Sequence, residues 1–191
     1  MADALMTTPI DMYQAGFKMG YRDGFDDYLS GDVTTIDDAT IRRLPAFGLA
    51  GREKLKFVRL SECYEFDGAI TFKECPNLQE VHLPNCQSSN TKGCFLNDVS
   101  LEFVDFGMVA CIEDDAFKNC ESLQTVLLDD PGGGEIVQVS STAFNGQGVL
   151  IYVPDSQLSA YQANRTWTFL INQGKVVIKP RSEWRGGGTN G

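Results

Sequence analysis

This sequence is poor in the residues that do chemistry. It holds one histidine, His82, and its six cysteines form no Cys-x-x-Cys pair. A tetrahedral zinc site has little to build on, and any Ser-His-Asp or Cys-His grouping would have to use His82. That residue lies between Val81 and Leu83, so strand alternation turns it outward, away from any evident nucleophile. The paired acids Asp114-Asp115 and Asp129-Asp130 lack the ligand spacing of a calcium loop. Gly132–Gly134 lacks the Lys-Ser/Thr of a phosphate loop. The expectation is a chain with no catalytic residues, no metal, no cofactor and no enzymatic activity.

Basic side chains are also scarce, 16 Lys and Arg against 26 Asp and Glu. Phosphate contacts need clustered cations, so nucleic acid is excluded as a partner. The deficit is uneven: residues 55–160 hold 5 basic and 16 acidic side chains, whereas residues 161–191 hold 5 and 1. No apolar run approaches the ~20 residues of a membrane span. Residues 1–10 have neither the basic nor the apolar stretch of a Sec signal peptide. These features point to a chain made in a cytoplasm and kept there, or packed into a particle that assembles there, without membrane insertion.

What is present is repetition. The pattern Phe-x-x-Cys-x-x-Leu-x-x-Val-x-Leu is cleanest at Phe72, Cys75, Leu78, Val81, Leu83 and at Phe117, Cys120, Leu123, Val126, Leu128. A degenerate copy reads Phe95, Asp98, Leu101, Val104, Phe106. A first copy reads Phe47, Leu55, Val58, Leu60, and a last one Phe144, Gln147, Leu150, Val153. The anchoring leucines at 55, 78, 101, 123 and 150 step by 23, 23, 22 and 27 residues. A fixed period in this range means stacked turns of a solenoid, because one repeat cannot bury its own apolar set. Cys75 and Cys120 share one slot and Cys63 and Cys86 another, so the cysteines read as small core residues. The long last step is explained by Asp129-Asp130-Pro131-Gly132-Gly133-Gly134, a protruding loop.

Each Leu-x-x-Val-x-Leu reads as a short strand with Val inward. Alternation then sets Phe57, Glu80, Phe103 and Thr125 in one outward row, and Arg59, His82, Asp105 and Leu127 in a second. Aromatics mixed with charges on an open sheet suit a protein or glycan partner. Either these eight residues form a binding face, or the N-terminal segment covers Phe57 and Phe103.

Four segments follow from the pattern. Residues 1–32 hold Tyr13, Phe17, Tyr21, Phe25 and Tyr28 beside Gly16, Gly20 and Gly24. On a helix, spacing four stacks the rings beside a stripe of bare backbone. Three glycines disfavour an isolated helix, so this one packs against copies of itself, against a partner, or as a cap on the first repeat. Residues 33–153 are the repeats, opening with a strand at 33–36 and a helical turn within 37–43. Residues 154–180 form a helix over 157–164, apolar cover around Trp167 and a strand at 176–178. Residues 181–191 read as a flexible tail. Asn164-Arg165-Thr166 matches a glycosylation sequon, of consequence only in a secreted chain.

The repeats, with Ala116-Phe117 and Ala143-Phe144, resemble the BspA-type bacterial leucine-rich repeat over about residues 45–180. Ile151-Tyr152-Val153-Pro154 with Tyr161 and Trp167 resembles the usual close of those arrays. Asp98 departs from the small or Cys residue usual in its slot. The resemblance implies an α+β solenoid of about five turns with an N-terminal helix and a C-terminal helix–strand cap. The Tyr/Phe-Gly tetrads resemble those preceding such repeats in proteins of bacteriophages and prophages. That resemblance implies a virion-associated fibre, decoration or receptor-binding protein. It would be a homo-oligomer or bound to other virion proteins, facing a host-surface protein or glycan. A stand-alone interaction scaffold, monomeric with residues 10–30 folded over the first repeat, is the second reading.

Overall fold

The computed structural model describes residues 33–186, apart from 45, 47, 67, 68 and 89. Residues 1–32, with Tyr13, Gly16, Phe17, Gly20, Tyr21, Gly24, Phe25 and Tyr28, lie outside the described residues, as does Phe47. Within that range the chain climbs as a parallel solenoid. Seven strands line one side: β1 (Thr35–Asp37), β3 (Phe57–Arg59), β5 (Glu80–His82), β6 (Phe103–Asp105), β8 (Thr125–Leu127), β10 (Val149–Val153) and β11 (Val176–Pro180). All pair in parallel and in that order. Two small parallel pairs lie outside this sheet: β2 (Arg43–Leu44) with β4 (Glu65–Phe66), and β7 (Cys111–Ile112) with β9 (Gln138–Val139).

Register explains why the repeats stack. Ile36, Val58, Val81, Val104, Val126, Ile151 and Ile178 pair side by side across the main sheet. All point inward and are buried, with β-branched shapes that suit a pleated surface. Leu55, Leu78, Leu101 and Leu123 form a second buried column before the strands. Opposite the sheet, Phe72, Phe95, Phe117 and Phe144 stack ring on ring, with centroids 5.1, 5.2 and 5.0 Å apart. The buried apolar side chains between them belong to one cluster. None of the six cysteines forms a disulfide, and five of them are buried in it.

Turns replace helices on the back of each repeat, because the short steps leave room only for tight corners. At the outer corners a polar ladder joins the turns. Asn119 donates to Asn97 Oδ1 (2.7 Å), Asn145 to Asn119 Oδ1 (3.1 Å), and the Asn119 backbone N–H to Asn145 Oδ1 (2.8 Å). Asn97 and Asn119 hold left-handed backbone, which asparagine tolerates better than most residues.

Four expectations are corrected. The helical turn within 37–43 is instead an Asx turn, with Asp38 Oδ1 accepting from Thr40 N–H at 2.7 Å. In the last copy Leu150 is not the buried anchor. It pairs with Thr125 and faces outward, while Val149, Ile151 and Val153 point in. The loop insertion before β10 shifts the frame, so the leucine lands on the wrong face. The C-terminal cap holds two helices, α1 (Leu158–Ala163) and α2 (Arg165–Asn172). Asn164 breaks them and caps α2, its side chain accepting from the N–H groups of Thr166 and Trp167. Finally, the segment read as tail from 181 is structured at its start: Arg181–Glu183 is a 3-10 turn, and Trp184 lies against the sheet.

The cap closes the core with two large residues. Trp167 and Tyr161 are fully buried. The Trp167 indole donates to Val137 O (2.8 Å) and the Tyr161 hydroxyl accepts from Val137 N–H (3.1 Å). The polar handle of each ring thus satisfies backbone that the last turn would otherwise bury unpaired.

Candidate recognition face

The outward side of the main sheet carries the candidate site. Parallel pairing fixes its two rows without ambiguity. One runs Thr35, Phe57, Glu80, Phe103, Thr125, Leu150, Val177; the other runs Asp37, Arg59, His82, Asp105, Leu127, Tyr152, Lys179. The eight residues singled out in the sequence therefore lie on one face and in the expected order. The rows extend further than the sequence pattern alone reached, to Thr35 and Asp37 at one edge and Tyr152 and Lys179 at the other.

Side chains on this face join into a band. The Arg59 guanidinium sits 5.1 Å above the centre of the Phe57 ring and 3.4 Å from Asp37 Oδ2. Both charges are about half exposed, so the pair itself adds little stability. Phe57 tilts against His82 (5.3 Å), and His82 against Phe103 (5.0 Å). Glu80 Oε2 lies 3.3 Å from His82 Nε2. Past Phe103 the band continues through a residue from outside the strands: Trp184 stacks on Phe103 at 5.4 Å and 20°, and also meets Tyr152 at 5.5 Å.

The face is thus open only in part. Arg59 is exposed, and Phe57, His82 and Asp105 are half-buried. Glu80, Phe103, Thr125 and Leu127, expected on an open surface, are all buried. Sequence reasoning missed Trp184, which has no periodic partner and sits in a polar, glycine-ended stretch. The usable signal was its size, since a tryptophan rarely stays idle in a tail.

Electrostatics differ along the band. Burial pushes the Asp105 carboxyl above its ordinary range; the positive charge of Arg181, the Gly107 N–H and the charge of His82 hold it back, while Asp129 pushes it further up. Arg181 Nη1 is itself buried without a hydrogen-bond partner. The loop at 129–134 lies outside the band. Gly132, Gly133 and Gly134 adopt left-handed backbone with open space around them, and Gly132 N–H donates to Asp130 Oδ1 at 2.8 Å.

Nothing in this arrangement composes a nucleophile, base and orienting group around His82. Among the described residues no cluster of three or more His, Cys, Asp or Glu is placed to hold a metal ion. No helix among them is long and apolar enough to cross a membrane.

A stack of parallel strands, closed by a helical cap and carrying two outward rows of side chains, is the architecture of a leucine-rich solenoid. The chain belongs to the BspA-type leucine-rich repeat family, whose model matches six copies over residues 30–150. Six copies in that span are one more than the five read from the Phe-to-Leu pattern. No curated protein matches the chain.

Proposed function

We propose that this chain is a non-enzymatic recognition protein that binds a protein partner through the outward side of its main sheet, and that it is carried on a bacteriophage virion. The observation behind the binding reading is the band from Arg59 to His82. It sets a cation, two rings and flanking carboxylates at fixed intervals of about 4.8 Å, the spacing of neighbouring strands. Arginine and aromatics are what protein interfaces concentrate at their energetic centres. The virion reading is supported by the Tyr/Phe-Gly tetrads of residues 13–28, which resemble those of phage-encoded repeat proteins. In this reading residues 10–30 join copies of the chain, or join it to another virion protein, and the solenoid faces a host-surface protein.

Three experiments test it. Phe57→Ala and Arg59→Ala should each weaken adsorption of labelled protein to host cells at least tenfold while leaving the thermal midpoint within a few degrees. Unchanged adsorption in both would refute the face as the site. Light scattering should give a multiple of the chain mass for residues 1–191 and the monomer mass after deletion of residues 1–30. An unchanged monomer in both cases would refute the assembly role. Antibodies to the chain should decorate purified particles from an induced lysogen, and bare particles would refute the virion assignment.

A further inference from the structure

The strand face already has an occupant, and that occupant comes from the chain itself. After β11 the backbone turns at Pro180 and crosses the outward rows. This strap buries none of its residues Arg181–Glu183. It is held by Ser182 N–H donating to Asp155 Oδ1 (2.9 Å) and by an exposed Lys179–Glu183 ion pair (3.1 Å). Its one large contact is Trp184 against Phe103 and Tyr152.

We propose that this strap is a self-ligand, and that the face recognises a partner protein segment presenting an arginine and an aromatic ring about three residues apart, which displaces residues 181–186. Three observations carry this. First, the strap contributes nothing to the enclosed core, so its departure leaves the stack intact. Second, Phe103 and Leu127 point out of the sheet yet are buried, with Trp184 against Phe103. Those groups need a cover, and an incoming aromatic supplies the same one. Third, the charges match: the strap belongs to a stretch with 5 basic and 1 acidic side chains, lying on a body with 5 and 16. Arg181 brings its charge near Asp105, yet leaves its buried Nη1 without a hydrogen-bond partner. An unpaired buried donor is a cost that a better-seated competitor avoids. The open half of the band, from Phe57 to Arg59 and Asp37, gives a longer segment room to extend beyond the strap's own footprint.

The inference rests on the reading of this face as a recognition surface. It is tested with the full chain and a fluorescent synthetic peptide spanning residues 180–186. Anisotropy should show the peptide binding the Trp184→Ala variant at least tenfold more tightly than the unaltered chain. Asp105→Asn, added to that variant, should weaken binding at least fivefold, as should raised salt. Arg181→Gln serves as the opening variant if Trp184→Ala does not fold. Equal binding to the unaltered and opened chains, or indifference to Asp105→Asn, would overturn the proposal. A random peptide library panned on the opened variant should enrich arginine with tryptophan or tyrosine, and enrichment of acidic or aliphatic sequences would overturn it as well. If the peptide fails to bind while Phe57→Ala still abolishes adsorption to cells, the self-ligand falls and the recognition reading stands. If the peptide binds while Phe57→Ala leaves adsorption unchanged, the reverse holds.

Discussion

Asp98 is the residue that breaks the repeat. It fills the slot held by Cys75 and Cys120 in neighbouring turns, and it is fully buried. Oδ1 accepts from the Cys75 backbone N–H at 2.7 Å, while Oδ2 has no partner. Burial drives its pKa well up; the Cys75 N–H pulls it down and Glu74 pushes it further up. An unfolded aspartate loses its proton near pH 3.9. Between that value and the raised folded one, the unfolded chain binds fewer protons than the folded chain. Stability therefore falls as pH rises through this window, by up to about 1.4 kcal/mol per pH unit, and levels off above the folded pKa. Asp98→Asn keeps the acceptor for Cys75 and cannot ionise. Urea unfolding of that variant should show this decline flattened above about pH 4, where an unfolded aspartate is already ionised, and an unchanged slope would show that Asp98 is not its source. The same environment raises the Cys75 thiol to about 12, chiefly through burial. That value fits a cysteine used as a small apolar group rather than as a nucleophile.

At the scale of an element, the ring column and the corner glycine decide how tightly turns can pack. Phe95 stacks on Phe72 and Phe117 and meets Phe106 edge-on at 5.5 Å. Phe95→Ala should cost about 3–5 kcal/mol in denaturant unfolding, because three other rings border the space it leaves. Gly107 follows β6 with φ +54°, and a Cβ there would stand 2.5 Å from Leu83 O and 2.6 Å from Pro84 O. Gly107→Ala therefore meets both strain and collision with backbone. It should lower stability by more than the roughly 1–3 kcal/mol of a strained backbone position alone, measured as a drop in thermal midpoint. These elements differed in how legible they were. Phe72, Phe95, Phe117 and Phe144 recur at the repeat period, and their column could be anticipated from spacing. The Asn97–Asn119–Asn145 ladder recurs just as regularly, yet polar residues in turns carry too many competing explanations to be singled out. Leu150 misled because a leucine at nearly the right step looks like an anchor, while the frame in β10 is set by the loop before it.

For the whole molecule, the order of the face followed from alternation and parallel pairing, both local rules, so Phe57 through Leu127 could be placed in rows without coordinates. The burial of Phe103 did not follow, because Trp184, which stacks on it, lies 81 positions further along the chain and outside the period. Closure at the far end is equally non-local. Trp167 seals the last turn and satisfies Val137 O. Trp167→Ala should speed hydrogen exchange first in residues 137–153 and only later in residues 78–106. Uniform acceleration along the chain would mean that the turns open together.

Parallel pairing also sets how the protein answers a pull. The backbone bonds between strands point along the stack, so tension applied between its two ends loads the rungs in series, and the weakest gives way alone. An optical trap should record a staircase at modest force. Each step would free one turn of 22 to 27 residues, a gain of roughly 75–90 Å of extended chain. A protein tethering a particle to a surface in motion would then stretch by instalments before it let go.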